Sequence, residues 1–127
     1  MLAACTFGAT IPSSDLQRSR QFYELVLGLV PERDLEAEVV YRAGNSLLDV
    51  YPSPHAGSAS HTLGSFVVDD IRAMVDELRL RGVTFEDYDD PGLRTDDGIA
   101  QLGPDKVAWF KDPDGNLLSL TQEDAKG

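Results

Sequence analysis

The stretch that decides the fold is WFKDPDGNLLSL, residues 109–120, because it predicts a β-hairpin with two apolar arms. In its turn, DPDGN, Pro113 presets φ for an early turn position and Gly115 accepts the positive φ that reverses a chain tightly. Alternation puts the return strand's residues on two faces, with Leu118 and Leu120 on one and Leu117, Ser119 and Thr121 on the other. One face of the hairpin is therefore suited to pack in a core, and the other face, which carries Ser119 and Thr121, is more polar.

Composition limits the class of protein. The chain has 127 residues, 42% of them hydrophobic and 26% charged, which suits one soluble domain with a core. Its formal net charge of −11 disfavours nucleic acid and anionic membranes as partners and favours a cationic small molecule. No apolar run reaches the roughly 20 residues that span a bilayer, and the first residues lack signal-peptide features, so we expect a cytoplasmic protein.

The chain outside the hairpin reads as two copies of one pattern. The helix cap Asp15 recurs as Asp70, and the Gly44-Asn45 turn recurs as Gly115-Asn116. In the first copy we predict a strand at 6–11 ended by Pro12, a helix at 16–28, and strands at 39–43 and 47–51. In the second copy we predict a strand at 62–68, a helix at 71–82, a strand at 83–88, an acidic loop at 89–98, a strand at 99–102 and the hairpin. The second helix should bury a stripe made of Ile71, Met74, Val75, Leu78 and Leu80.

These elements predict an α+β fold of two tandem βαβββ units in a single domain, residues 1–127. The first unit covers 6–51, the second covers 61–122, and 52–60 is the linker. One helix covers only one face of each small sheet, so we expect a curved mixed sheet whose other face surrounds a cavity for a small organic ligand.

Three segments resemble the vicinal oxygen chelate superfamily, which includes glyoxalases, bleomycin resistance proteins and extradiol dioxygenases. The segments are SSDLQRSRQFYELVLGL, FVVDDIRAMVDELRLRGV and AWFKDPDGNLLSL, and with the strands between them the likeness covers about residues 6–122. The resemblance implies that metal-dependent members carry His, Glu or Gln on four strands, at positions that here are Gly8, Asp49, Leu63 and Ser119. Only Asp49 is a good metal ligand among these four residues. If the alignment is shifted so that His61 replaces Leu63, the site still has only two ligands. We therefore predict no metal and no cofactor.

Strand alternation around these positions predicts the residues that line the ligand site. They are Thr6, Gly8, Thr10, Leu47, Asp49, Tyr51, His61, Leu63, Ser65, Trp109 and Ser119. Asp49 and His61 are the weak candidates for a catalytic role. Burial should raise the pKa of Asp49 unless a ligand cation or Arg42 compensates it, or unless the cavity is wet. We predict structural roles in the turn for Asp112 and Asp114. We predict that Cys5 is a small, buried hydrophobic residue.

Three functions remain open on the sequence. The first is a metal-free binding protein similar to the bleomycin-resistance branch, which sequesters a cationic antibiotic or metabolite and works as a homodimer. The alternative is a lyase, isomerase or dioxygenase of the vicinal oxygen chelate type that acts on a small organic substrate. The third is an accessory domain without a dedicated ligand.

Overall fold

In a computed structural model, which describes residues 1–124, the chain folds into two mixed β-sheets with a helix packed on each. The helical elements are a 3-10 turn, Leu2–Ala4, the helix α1, Leu16–Arg20, which continues into a π-helical segment, Gln21–Val26, and the helix α2, Ile71–Leu80. The strands are β1 Gly8–Ser13, β2 Val30–Asp34, β3 Val39–Ala43, β4 Ser46–Pro52, β5 Thr62–Val67, β6 Asp89–Asp90, β7 Leu93–Asp96, β8 Ile99–Leu102, β9 Asp105–Lys111 and β10 Leu117–Gln122.

The two sheets repeat one topology. The first has the strand order β1-β4-β3-β2, and the second has the order β5-β10-β9-β8-β7-β6. In each sheet the strand before the helix pairs in parallel with the last strand of its unit, β1 with β4 and β5 with β10. The strands β7 and β6 extend the second sheet at its far edge. The predicted α+β fold of two βαβββ units is confirmed, whereas the domain 1–127 and the boundaries 6–51, 52–60 and 61–122 stay predictions.

The predicted helix boundaries follow from local chemistry. Asp15 caps α1 by accepting the backbone N–H of Arg18 at 3.2 Å, and Asp70 caps α2 by accepting that of Ala73 at 3.1 Å. Gly28 follows the π-helical segment that extends α1 and has φ 76°, a conformation that glycine adopts without strain. The helices pack on buried side chains from one face of each sheet, which form a single core. Its most buried aromatic members are Tyr23, Tyr41 and Phe110.

The first strand starts and ends two residues later than predicted. Pro12 does not end β1 but lies inside it, opposite Tyr51 of β4. β1 is an edge strand of its sheet, where proline is tolerated. In the described part of the chain, no neighbouring strand lies on its free side to require an N–H donor from Pro12. Thr6 consequently lies before the strand and is exposed.

Four further predictions were wrong. Residues 83–88 do not form a strand, although Phe85 makes an isolated bridge to Phe110. The predicted acidic loop contains the hairpin of β6 and β7, and β2 was not predicted at all. Leu80 is 86% exposed rather than part of the buried stripe, because a step of two residues from the buried Leu78 leads to the opposite side of the helix, and Met74 is 37% exposed. Cys5 is exposed rather than buried.

The turn of the closing hairpin joins the two halves of the chain. The carboxylate of Asp112, 5% exposed, accepts the Tyr23 hydroxyl at 2.7 Å, and the Asn116 backbone and side-chain N–H groups at 2.9 and 2.8 Å. The Asn116 amide also donates to the carbonyl of Pro12 at 2.8 Å. Asp114 accepts from Ser14 and, at 2.8 Å, from the guanidinium of Arg18. These bonds agree with the structural roles predicted for both carboxylates.

We expect Gly57→Ala to destabilise the fold more than Gly44→Ala does. Both glycines have positive φ, 75° and 59°, so both alanines carry backbone strain of about 1 kcal/mol. Only at Gly57 would the new Cβ meet another group, the carbonyl oxygen of Asp114 at 2.0 Å, whereas nothing lies within 4 Å at Gly44. The loop can shift to relieve this contact, so we expect about 1 kcal/mol of additional loss, measured by urea unfolding. Equal losses for the two variants would contradict this.

Candidate functional site

The face of each sheet that points away from the helices carries most of the predicted site residues; we call it the open face. On the first sheet Thr10 lies opposite Asp49 and Gly8 opposite Leu47, while Tyr51 lies further along β4. Leu48 and Val50, which alternate with these β4 residues, are buried in the core. The predicted alternation is therefore correct for β4 and for β1 from Gly8 onward.

On the second sheet the open face is centred on Ser119. It pairs with Ser65 of β5 and with Trp109 of β9, and it is buried. The Ser65 hydroxyl lies 2.7 Å from that of Thr121, so these two groups satisfy each other. Trp109 packs edge-to-face on Tyr88 with ring centroids 5.4 Å apart. Tyr88 was not among the predicted site residues, because its segment was expected to be a strand rather than a loop over β9.

Two predicted site residues do not lie on either open face. Thr6 precedes β1, and His61 precedes β5; both are exposed. The Nδ1 atom of His61 lies 3.1 Å from the carbonyl of its neighbour Thr62, a local contact outside the sheet. Leu63 sits at a register shift, because Leu117 pairs with Thr62 but the next residue pairs with Gly64. His61 therefore lies outside the open faces, and its predicted roles in catalysis and ligand binding stay predictions.

The positions at which relatives of this fold would hold a metal do not fit one here. Gly8 and Leu63 have no donor atom in their side chains, Ser119 offers a neutral hydroxyl, and Asp49 is one carboxylate. Within residues 1–124, no three His, Cys, Asp or Glu side chains come together as a group that could hold a metal ion. We therefore derive no chemistry through a bound metal.

Asp49 is the most unusual polar residue of the open face. Its Oδ1 atom is buried, and no donor from residues 1–124 reaches it. Burial raises its pKa to about 6, and the nearby carboxyl of Glu38 adds to this rise through a hydrogen bond and charge repulsion, while Arg33 opposes it. Two carboxyl groups can hydrogen-bond only when one of them carries a proton. With a pKa of about 6, Asp49 is largely protonated below that pH, and above it Asp49 carries a charge that Glu38 disfavours.

Arg42 does not neutralise Asp49, although it was the basic residue suggested for that role. Its guanidinium instead makes a two-bond ion pair with Glu32, at 2.6 and 2.9 Å. Glu38 and Arg33, the actual neighbours of Asp49, were missed by the sequence analysis. Arg33 belongs to the unpredicted strand β2, which carries a register shift against β3 between Pro31 and Arg33.

A separate cleft of about 410 Å³ opens between the two halves of the chain. Of the eleven predicted site residues, only Ser65 lines it. Its other walls come from the residues that follow the π-helical segment, from the β3–β4 turn, from the end of β5 and from α2. The cleft is thus a different place from the predicted cavity between Gly8, Asp49, Leu63 and Ser119.

Comparison with known proteins assigns the family. A model of the glyoxalase/bleomycin resistance protein/dioxygenase superfamily matches residues 6–120, and the chain belongs to this superfamily. The resemblance inferred from the three sequence segments is thereby confirmed. A search of curated proteins gave no significant match.

Several solved structures share the fold. UcmS2 has 21% identity and a TM-score of 0.74, with 93% of this chain and 97% of that chain covered. TnmS3, an antibiotic binding protein from Streptomyces sp. CB03234, has 22% identity and a TM-score of 0.70, with 97% and 98% covered. Lactoylglutathione lyase from Agrobacterium tumefaciens has 20% identity and a TM-score of 0.69, with 98% and 97% covered. At these identities the likeness concerns the fold alone, since these relatives include a binding protein and an enzyme.

One further property bears on partners. None of the helices within residues 1–124 is long and apolar enough to cross a membrane. The prediction of a cytoplasmic location stays a prediction.

Proposed function

We propose that this chain is a metal-independent binding protein that sequesters a cationic small molecule, such as an antibiotic or metabolite, on its open face. The observation that carries this proposal is the carboxyl pair of Asp49 and Glu38, in which Oδ1 of Asp49 is buried without a donor. An unpaired buried carboxylate is costly, and a ligand ammonium or guanidinium supplies the missing donor and charge. The formal net charge of −11 attracts such a ligand over a longer range.

Other groups of the open face suit the rest of such a ligand. Thr10 lies beside Asp49 and offers an exposed hydroxyl, and Tyr51 lies two residues along the same face of β4. On the second sheet Trp109 supplies an aromatic surface, which attracts cations and apolar groups alike. Because Thr10 and Ser65 are exposed in a single chain, we propose that a second copy covers the open face, giving a homodimer with the ligand enclosed.

The relatives are compatible with this role. TnmS3, whose fold this chain shares, is an antibiotic binding protein. Its likeness supports a binding function for this fold and leaves the chemistry of the ligand to the residues of this chain. The carboxyl pair and the acidic surface are the features that favour a cation.

The test is a titration with cationic natural-product antibiotics at pH 7.5, followed by calorimetry. We expect at least one to bind, and we expect Asp49→Asn to weaken it about tenfold, because a charge-assisted hydrogen bond contributes about 1.5–3 kcal/mol. Affinity should also fall from pH 7.5 to pH 5, since below about pH 6 a proton competes with the ligand at Asp49. Asp90→Asn, which removes an exposed charge from β6, is the control and should bind as the original chain does. Binding that is unaffected by Asp49→Asn would refute the proposal.

The same carboxyl pair favours one alternative, a metal-independent isomerase. A carboxyl with a pKa of about 6 can both accept and return a proton near neutral pH, which proton transfer within a substrate requires. In that case Asp49→Asn abolishes turnover while a neutral substrate still binds. The metal-dependent lyase and dioxygenase versions have no comparable support, because their ligand positions carry Gly8, Leu63 and Ser119.

A further inference from the structure

The cleft between the two halves has walls of apolar side chains drawn from both units. Its volume of about 410 Å³ falls within the range of about 300–1,000 Å³ that is typical of small-molecule sites. The apolar residues that form its floor and walls are Leu27, Leu29, Phe66, Leu78, Phe110 and Leu120. Three of them, Leu78, Phe110 and Leu120, are almost fully buried, so the cleft reaches down to the core.

Among the described residues, 1–124, no charged side chain lines this cleft, although 26% of the chain is charged. The contrast with two other surface clefts is sharp. One of these is lined by Arg20, Glu24 and Glu36 among others. The second is lined by five charged side chains, Asp69, Asp70, Arg72, Asp96 and Lys106. A charged ligand would find no counter-ion between the halves, and its desolvation would be uncompensated.

Three polar groups of the cleft already have partners. The Ser65 hydroxyl is bonded to that of Thr121 at 2.7 Å, and the Ser46 hydroxyl donates to the carbonyl of Ala43 at 2.8 Å. The backbone N–H of Val68 donates to the carbonyl of Thr121 at 2.8 Å. A ligand rich in hydrogen-bonding groups would therefore gain little from these three groups, and the exposed side chain of Asn45 is the polar group that the cleft offers it.

The cleft is shaped by the π-helical segment that follows α1. Its wide turn lets the backbone N–H of Leu27 donate to the carbonyl of Phe22 at 2.9 Å, and that of Leu29 to the carbonyl of Tyr23 at 2.9 Å. Both leucines are thereby held at the wall of the cleft. At the mouth stand Met74, a side chain that adapts to irregular ligands, and Val67, 66% exposed.

We propose that this cleft is a second binding site, which takes an uncharged and mainly apolar small molecule. It differs from the cation site at Asp49, because neither Asp49 nor Glu38 lines it, although the open-face residue Ser65 lies at its edge. The chain would then bind two kinds of ligand, a cation at Asp49 and an uncharged molecule in the cleft.

The test uses the neutral fluorophore N-phenyl-1-naphthylamine in a fluorescence titration of the full chain. We expect saturable binding to one site, and about tenfold weaker binding in Val67→Trp, since the indole fills the mouth of the cleft. Val30→Trp is the matched control, because Val30 is a strand valine that is 72% exposed and lies outside the cleft. Its affinity should stay within about twofold of the original. Circular dichroism verifies that both variants fold.

A second pair of variants tests the charge requirement. Met74→Lys places a cation at the cleft, whereas Leu80→Lys places one on the exposed end of the same helix. We expect only the former to weaken binding of the neutral probe. The anionic analogue 8-anilino-1-naphthalenesulfonate should bind the original chain at least about tenfold more weakly. Unchanged probe affinity in both Val67→Trp and Met74→Lys, equal affinity for the two probes, or no saturable binding would each overturn the proposal.

The outcome is separable from that of the proposed function. Asp49→Asn should leave the affinity for N-phenyl-1-naphthylamine unchanged, since Asp49 does not line the cleft. A loss of neutral-probe binding in Asp49→Asn would instead assign the probe to the open face and overturn the second site. Failure of every cationic antibiotic to bind would reject the cation site and leave the cleft proposal standing.

Discussion

Asp112→Ala is expected to lower the free energy of unfolding by about 3 kcal/mol, because it leaves several buried donors without an acceptor. The donors are the Tyr23 hydroxyl and the backbone N–H groups of Asp114 and Asn116, which lie 2.7, 3.0 and 2.9 Å from the carboxylate. Tyr23 is fully buried, and its burial together with this carboxylate raises its pKa, so the hydroxyl remains a donor at all ordinary pH values. The measurement is urea unfolding at pH 7.5.

Two companion variants separate this network from a general effect of losing a carboxylate. Tyr23→Phe removes a single hydrogen bond and should cost about 1 kcal/mol. Asp90→Ala removes an exposed carboxylate from β6 and should change stability by less than about 0.5 kcal/mol. A loss below about 1 kcal/mol for Asp112→Ala would mean that the turn does not join the halves as the hydrogen bonds indicate.

The helices and central strands were predictable because their signals are local. Asp15 and Asp70 cap helices, and the strands β3, VVYRA, and β10, LLSLTQ, are rich in apolar and β-branched residues and lie next to Gly-Asn turns. Edge strands lack such signals. β2, VPERD, and β7, LRTD, are mostly polar, and they are strands because a neighbouring strand offers them a ladder of hydrogen bonds. The segment 89–98, which contains β6 and β7, was predicted to be a loop for that reason.

The site was predictable only where it depends on alternation. Thr10, Asp49, Ser65 and Ser119 share open faces because each lies at a fixed parity along its strand. The approach of Glu38 to Asp49 depends instead on the turn before β3 and on the register shift of β2, neither of which periodicity encodes. The cleft between the halves depends on how the two units pack on each other, so no sequence pattern within one unit predicts it.

Asp49→Asn is expected to stabilise the chain at pH 7.5 and to leave its stability nearly unchanged at pH 4. A carboxyl whose folded pKa lies above its unfolded value contributes stability that is present below the unfolded pKa and lost as the pH rises through the folded one. For Asp49 these values are 3.8 and about 6, so the loss occurs between about pH 4 and pH 6.5. The asparagine amide keeps a donor toward Glu38 at every pH, and it carries no charge to bury.

The expected gain at pH 7.5 is about 2 kcal/mol. A shift of about two pKa units corresponds to about 3 kcal/mol, and partial exposure of Asp49 to solvent reduces this value. Urea unfolding of the original chain and of the variant at pH 4, 5.5 and 7.5 measures it, with Asp90→Asn as a control that should show no such pH-dependent difference. A constant difference between Asp49→Asn and the original chain across this range would show that folding does not raise the pKa of Asp49. Combined with weaker binding of a cation, a gain that grows from pH 4 to about pH 6.5 would mean that Asp49 lowers stability but is needed for binding.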